Sequence, residues 1–296
     1  MNKSRMDYVK AKAILFPSII LLAIFVYGFI GWSIRTSFSK WDGIIPNYDF
    51  AGLENYLYVF STPRFQQDLL NTLFFTIFFL LLCIGMGLFI ANLLDKRLKG
   101  TNIFQTLFLF PFAISFVVTG VVWRWIFNPT VGINALLQKI GINVTWGWYT
   151  DPTQIGGFHV ALVAVFIAAA WQFTGYTMAM FLAGMRGISE DIYEAAHIDG
   201  ANDRQIFWKI KVPLLRPIIL SALIVLGHIS LKIFDLVYTM TGPGPAFATD
   251  MPGIYMFETT FRGNHYAEGA VISVVMLAMV AVVIVPYLYS SFRKER

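Results

Sequence analysis

The segment EAAHIDGANDRQIFWKIKVPLLRP, residues 194–217, is a polar stretch between two long apolar ones. Acidic residues come first, basic residues follow, and prolines stand at its end. Ser189 and Asn202 are suitable N-cap residues, and apolar residues recur at helical spacing after each of them. We therefore predict two short amphipathic helices joined at Gly200. The second helix is expected to end at Pro213, because proline lacks the N–H that a helix needs.

The composition on either side of this segment is that of a membrane protein. Of the 296 residues 57% are hydrophobic and only 13% are charged, whereas soluble domains carry about 25% charged residues. Six stretches have the roughly 20 largely uncharged residues that a helix needs to cross a bilayer. They are residues 14–34, 71–94, 103–127, 159–185, 214–238 and 269–292. We expect an all-α integral membrane protein with six transmembrane helices in one domain, residues 1–296, and a long polar loop at 189–213.

The basic residues indicate how these helices are oriented, since Lys and Arg concentrate in cytoplasmic loops. With the N-terminus inside, fifteen of the 22 Lys and Arg residues fall on the cytoplasmic side and six outside. The cytoplasmic set is Lys3, Arg5, Lys10, Lys12, Lys96, Arg97, Lys99, Arg186, Arg204, Lys209, Lys211, Arg216, Arg293, Lys294 and Arg296. Both termini and the loop 189–213 are therefore expected in the cytoplasm.

The polar loop has two possible surroundings. Amphipathic helices next to membrane spans often lie on lipid headgroups. Here, however, the first helix carries small alanines, which let another backbone approach closely, and an acidic side poorly suited to an anionic leaflet. That acidic side consists of Glu190, Asp191, Glu194 and Asp199. A protein partner on the cytoplasmic side fits this pattern better.

The spacing of the loop residues matches a known pattern. Glu194, Ala195 and Ala196, then Gly200, then Ile210 and Pro213 resemble the EAA loop of ATP-binding-cassette importer permeases, with Val212 in place of the usual leucine. The segments NPTVGINALL (128–137), EAAHIDGA (194–201) and FDLVYTMTGPGP (234–245) are similar to the carbohydrate-uptake branch, in particular its maltose-type first permease subunit. The enterobacterial maltose subunit has eight spans, so this chain resembles the shorter, six-span members.

The resemblance implies a type I ABC importer permease fold in a prokaryotic cell membrane. It further implies a heterodimer with a second permease subunit, two cytoplasmic ATP-binding subunits that dock on the EAA loop, and an extracytoplasmic solute-binding protein. ATP and Mg would be bound by the partner ATPase, so the chain itself would need no cofactor. The sequence agrees in one respect, since it contains no G-x-x-x-x-G-K-[ST] loop to hold ATP phosphates. Membrane lipid is an expected partner and nucleic acid is not.

Polar residues inside the spans are candidates for a substrate pathway, because hydrocarbon offers them no hydrogen-bond partners. The candidates are Ser115, Thr119, Trp171, Gln172, Tyr176, Ser221 and His228. They combine hydrogen-bonding groups with flat apolar surfaces and almost no net charge, which suits a sugar. The alternative is that they only hold helices together, at about 0.6 kcal/mol per contact.

Lys232 and Asp235 are the two formal charges within the apolar part of the fifth span. Their spacing from Ser221 and His228 would place all four residues along one helical face. An ion pair between residues three apart would shield two charges that are costly in a membrane. We therefore expect a gating or structural role for Lys232 and Asp235 rather than substrate binding.

Two other functions are consistent with a multi-span protein. One is a secondary sugar transporter that works alone, which internal repeats would favour, but the six spans show no convincing duplication. The other is a membrane-embedded lipid or glycan enzyme, which needs a nucleophile, a metal site or an acid/base pair. The four histidines have no metal-like or catalytic spacing, and no carboxylate pair lies within a span. No catalytic or metal residue is therefore predicted, and the chain is not expected to be an enzyme.

Overall fold

The computed structural model describes residue 12 and residues 15–96 and 100–294, with side chains through Tyr287. Within these residues nearly all regular structure is helical. The strands there are two short ones, β1 (Gln154–Ile155) and β2 (Phe158–His159), which pair antiparallel. Several basic residues of the orientation argument lie outside the described residues, namely Lys3, Arg5, Lys10, Arg97, Lys99 and Arg296.

The helices follow one another with short connections. In chain order they are α1 (Leu15–Ser37), α2 (Glu54–Ser61), α3 (Pro63–Asp95), α4 (Thr101–Ala113), α5 (Phe116–Ile126), α6 (Ile133–Lys139), α7 (Leu162–Arg186), α8 (Glu190–Ile198), α9 (Asp203–Leu214), α10 (Arg216–Leu231), α11 (Asp235–Met240), α12 (Pro252–Phe257) and α13 (Tyr266–Lys294). Single π-helical turns occur in α1 at Ala23–Gly28 and in α9 at Phe207–Lys211, and another follows α12 at Glu258–Arg262. The last turn of α4, Phe110–Ala113, is a 3₁₀-helix.

Four helices are long and apolar enough to cross a membrane by themselves: α1, α3, α7 and the Tyr266–Tyr287 part of α13. Two further pairs reach that length only if each pair counts as one bent span. The pair α4 and α5 is bent by 101°, and the pair α9 and α10 by 66°. The described helices therefore provide between four and six spans.

The expected helix limits differ from the structure in specific places. The predicted span 159–185 begins only at Leu162, because the β1–β2 hairpin occupies the residues before it. The span 71–94 belongs to the much longer helix α3. The stretches 103–127 and 214–238 are each interrupted, the first between α4 and α5 and the second between α10 and α11. Apolar length alone did not reveal these interruptions, because each stretch as a whole is long and apolar enough for one continuous span.

The chain forms two compact units. Of the described residues, one unit contains those up to Pro63 together with Tyr255–Ala278, and the other contains those from Arg64 to Ile254 together with those from Met279 onward. In the first unit, Asn55 ties α2 to the end of α1 by donating to the carbonyls of Ser37 at 2.9 Å and Ser39 at 2.8 Å. Trp41 stacks on Tyr266 in the same unit, with ring centroids 4.8 Å apart.

Helix α7 is the centre of the second unit. Of its most apolar 18-residue window, 72% is buried, against 28% for α3. Small residues allow this, since Ala164, Ala168 and Ala169 are fully buried and let neighbouring backbones come close. Gly175 lies where an added Cβ would overlap the carbonyl of Phe108 on α4. The sequence therefore makes α7 the helix against which the broken helices pack.

Candidate functional site

Two helix breaks of the second unit, the one between α4 and α5 and the one between α10 and α11, line one pocket of about 730 Å³. Ile114 and Ser115 separate α4 from α5, and residues 232–234 separate α10 from α11. We call this the break pocket and define it by Ser115, Gln172, Phe173, Ile229, Lys232 and Asp235, which line it with several apolar neighbours. Irregular backbone at membrane depth is tolerated only where protein or a water-filled cavity surrounds it. A shared pocket at two breaks therefore marks the principal functional candidate within the spans.

Gln172 of α7 holds the break between α4 and α5. Its Nε2 donates to the carbonyl of Ile114 at 2.6 Å, and the side chain is only 3% exposed. Ser115 is the N-cap of α5, and its hydroxyl accepts a hydrogen bond from the N–H of Val118 at 3.3 Å. The Oε1 atom of Gln172 is buried and has no hydrogen-bond partner within the described residues.

Lys232 and Asp235 belong to the same pocket but not to one continuous helix. Helix α10 ends at Leu231, Lys232 is its C-cap and Asp235 starts α11. The expected single face from Ser221 to Asp235 is therefore interrupted. Each charge lies at a favourable helix end, with the cation after a C-terminus and the anion at an N-terminus. In the part of the chain that the structure describes, no ion pair joins Lys232 to Asp235.

The other polar candidates lie elsewhere. Thr119 is 1% exposed and does not line the break pocket. Ser221 donates to the carbonyl of Pro217 within its own helix at 3.0 Å. His228 is half-buried, and its Nδ1 has no hydrogen-bond partner within the described residues. These three side chains are not brought together with Gln172.

The aromatic candidates on α7 take two different positions. Trp171 lines a separate apolar pocket of about 470 Å³ and packs edge-on against Trp123, with centroids 5.8 Å apart. Tyr176 stacks on Phe112, which does line the break pocket, at a centroid distance of 5.0 Å. The sequence analysis missed Phe112 and Phe173 as pocket residues, because an aromatic residue in an apolar stretch carries no signal of its own.

The loop 189–213 contains the predicted helix pair. Ser189 precedes α8, and Gly200 follows it with φ +78°, a left-handed conformation suited to glycine. Asn202 and Gln205 form the predicted capping box at the start of α9. Glu194 and Ala195 are exposed and Ala196 is buried. The loop also presents two large apolar side chains, since Ile198 is 86% exposed and Trp208 is 58% exposed.

The second helix ends one residue beyond the predicted end at Pro213. Helix α9 continues through Pro213 to Leu214, and the chain bends only at the junction with α10. A π-helical turn precedes the proline, in which the N–H of Val212 bonds to the carbonyl of Phe207. This turn shifts the hydrogen-bond pattern by one residue, so the missing N–H of Pro213 falls at the edge of the irregular turn. Ile210 and Pro213 are both half-buried.

A second pocket, of about 410 Å³, lies between this loop and the ends of α3 and α7. Charged residues from all of these elements line it, among them Asp95, Arg186, Glu194 and Lys211. Lys211 and Asp95 form an ion pair of 2.6 Å there. The sequence analysis counted Lys211 only as a cytoplasmic charge, because nothing in the sequence indicates its partner.

Sequence reasoning also missed a buried polar cluster near the start of α3. Arg64 Nε donates to Asp250 Oδ2 at 2.6 Å, and the Asp250 side chain is fully buried. Asn71, also fully buried, donates to the carbonyls of Phe247 and Asp250, both at 3.0 Å. Ala246 and Phe247 both have positive φ, at 53° and 60°. The cluster therefore holds a strained segment against α3.

The comparisons with known proteins agree with these features. A family model described as "Binding-protein-dependent transport system inner membrane component" matches residues 83–294. A probable ABC transporter permease protein of Pyrococcus horikoshii is 41% identical over 283 residues, covering 95% of each chain. The xylose/arabinose import permease protein XacH of Haloferax volcanii is 35% identical over 291 residues, covering 97% of this chain and 90% of the relative.

Among solved structures, the fold is similar to that of a bacterial ABC transporter involved in the import of the acidic polysaccharide alginate. The TM-score is 0.82 at 21% identity, and the match covers 98% of this chain and 96% of the other. At that identity the match is evidence for the fold alone.

Proposed function

This chain belongs to the family of binding-protein-dependent transport system inner membrane components, and we propose that it is a permease subunit of an ATP-driven sugar importer. In this proposal it forms half of the translocation pathway as a heterodimer with a second permease subunit. Two cytoplasmic ATP-binding subunits drive it, and an extracytoplasmic solute-binding protein delivers the sugar. The family description and the sugar-importing relative support the proposal.

The proposed topology has six spans with both termini in the cytoplasm of a prokaryotic cell. The four long helices supply four spans, and the two bent pairs supply the others if each counts as one. The bias of Lys and Arg supports the orientation. On this map the loop 189–213 faces the cytoplasm, and the whole chain acts as one permease domain in contact with membrane lipid.

One observation carries the proposed pathway, namely that two broken helices open onto one pocket. Broken membrane helices place helix ends and free backbone groups where a polar substrate passes. The break pocket combines the Gln172 amide and the Ser115 hydroxyl with the rings of Phe112 and Phe173. Such a lining offers hydrogen bonds to hydroxyl groups and flat surfaces to the C–H faces of a sugar.

The loop 189–213 is the proposed attachment site for an ATP-binding subunit. Its exposed Glu194, Ile198 and Trp208 provide charge and apolar surface for a protein partner. Gly200 sets the angle between the two loop helices through its left-handed backbone. ATP and Mg belong to that partner, since this chain has no phosphate-binding loop of its own.

Reconstitution in liposomes tests the proposal directly. The chain is purified with its companion permease, the ATP-binding subunits and the solute-binding protein, and labelled sugars are screened for uptake. We expect ATP-dependent accumulation of one class of sugar by the full complex and none by this chain alone. Accumulation by the purified chain without other subunits would overturn the proposal and favour a transporter that works alone.

A further inference from the structure

One ion pair fastens the cytoplasmic end of α3 to the loop helix α9. Lys211 Nζ donates to Asp95 Oδ2 at 2.6 Å and to Asn92 Oδ1 at 3.2 Å. Both charged side chains are largely buried, with 12% of Lys211 and 14% of Asp95 exposed. We propose that this pair is the joint through which the loop moves α3, so that Lys211 and Asp95 are positioning residues for coupled transport. The inference rests on the coupling role proposed above for the loop 189–213.

The same lysine also contacts the first loop helix. Its Nζ lies 5.3 Å from the ring centroid of Tyr193 on α8, a cation–π distance. The hydroxyl of Tyr193 donates to the carbonyl of Met185, near the end of α7, at 3.5 Å. Burial, together with the charge of Asp95, raises the pKa of Tyr193 to about 12, so this hydroxyl stays protonated at neutral pH. Lys211 therefore lies where α3, α8 and α9 meet, next to α7.

A joint of this kind transmits motion because it is costly to separate. Two charges removed from water attract strongly, and either one left without its partner in a buried place is strongly destabilising. Displacement of α9 is therefore opposed unless the end of α3 follows. Helix α3 extends without interruption from Pro63 to Asp95, so a movement at Asp95 acts on a helix long enough to cross the membrane.

A second ion pair joins the same two parts of the chain and serves as a matched control. Lys96 Nζ contacts Asp203 Oδ2 at 2.9 Å, one residue beyond the end of α3 and at the start of α9. These side chains are 52% and 73% exposed. The hydrogen bond from Lys96 and its positive charge hold the pKa of Asp203 below its usual value. Water screens such a surface pair, so its contribution is small and it does not act as a joint.

The experiment uses the full complex in liposomes, with ATP hydrolysis and sugar uptake measured on the same preparation. The variants are Lys211→Met, the neutral double variant Lys211→Met with Asp95→Asn, and the exchanged pair Lys211→Asp with Asp95→Lys. Lys96→Met is the matched control. Copurification of the ATP-binding subunits is measured for each variant, which shows whether the complex still assembles.

We expect the neutral double variant to assemble and hydrolyse ATP but to transport about tenfold fewer sugar molecules per ATP, a coupling change of ordinary size. The exchanged pair should recover part of that loss. Lys96→Met should change the ratio by less than about twofold, as is typical of exposed pairs. The double variant is decisive because it leaves no unpaired charge buried, so misfolding does not imitate uncoupling.

Two results would overturn the inference. A normal sugar-to-ATP ratio in the neutral double variant would reduce the pair to a structural contact. If the exchanged pair transports no more sugar per ATP than the neutral double variant, the attraction between these two charges does not couple the loop to α3. Failure of the unmodified chain to recruit ATP-binding subunits is a different outcome, since it removes the proposed function itself and this inference with it.

Discussion

The side chain of Gln172 stabilises the break between α4 and α5 by donating a hydrogen bond to the carbonyl of Ile114 at 2.6 Å. The two residues are 58 positions apart in the chain, Gln172 within α7 and Ile114 between α4 and α5. A single buried amide thus holds the backbone at the break, in the lining of the break pocket.

Replacement of Gln172 by leucine should lower sugar uptake. The carbonyl of Ile114 would lose its donor, at a cost of about 1–3 kcal/mol for an unsatisfied buried group, and the pocket would lose its amide. Uptake and sugar affinity of the reconstituted complex measure the effect. Ser221→Ala is the matched control, because Ser221 bonds only within its own helix in the described hydrogen bonds. Equal transport by both variants would remove Gln172 from the pathway.

A valine at position 200 should uncouple ATP hydrolysis from uptake. A residue with a Cβ pays roughly 1–2 kcal/mol in the left-handed region, so the angle between α8 and α9 should change while the helices remain. The ratio of sugar transported to ATP hydrolysed reports this change. Gly141 is the control position outside the loop. It also has a positive φ, of +85°, and no atom lies within 4 Å of an added Cβ. If Gly141→Val lowers the ratio of sugar transported to ATP hydrolysed as much as Gly200→Val does, the loss reflects backbone strain in general and not the angle between α8 and α9.

Charge reversal at Glu194 should weaken attachment of the ATP-binding subunits. Glu194 is exposed, and surface substitutions usually change stability by no more than about 0.5 kcal/mol. A loss therefore reports on the contact rather than on folding. Copurification of the ATPase with Glu194→Lys is compared with that of Asp49→Lys, an exposed acid far from the loop in sequence. Full recovery of the ATPase with Glu194→Lys would exclude the proposed contact.

Loss of the acidic partner in the Arg64–Asp250 pair should destabilise the protein. Asp250 is fully buried, and removal of one member of a buried pair costs about 3–5 kcal/mol. Thermal unfolding in detergent should therefore occur at a clearly lower temperature for Asp250→Ala. Glu258→Gln, which alters a longer pair of 3.4 Å with Arg262 in which the side chains are 21% and 60% exposed, should shift unfolding far less. Similar melting of the two variants would show that the buried cluster does not hold the strained segment.

The sequence was sufficient for the local features of the loop 189–213. Asn202 and Gln205 form the capping box, and Gly200 adopts the left-handed conformation at the junction, as their residue types predict. Pro213 shows the limit of such rules. The helix continues past it to Leu214, because the π-helical turn before it accommodates the missing N–H. These features depend on residues within a few positions of one another, so they can be recognised from the sequence.

The sequence predicted only in part which polar residues line one pocket, and their role in a substrate pathway stays a prediction. Ser115, Gln172, Lys232 and Asp235 do meet at one pocket, whereas Trp171 lines another pocket and Thr119 is buried. Helical periodicity placed Ser221, His228 and Asp235 on one face, but the break after Leu231 ends that face. A periodicity argument holds only as far as the helix continues.

By itself, the sequence determined that this is a helical membrane protein with a polar helix pair in one loop. Hydrophobic length, capping residues and glycine act on the backbone next to them, so their effects can be predicted without the tertiary structure. Only the tertiary structure decided where the long helices break and that Lys211 meets Asp95, 116 residues away. Contacts between such distant residues depend on how the helices pack, and many different partners along the chain would satisfy the same charge.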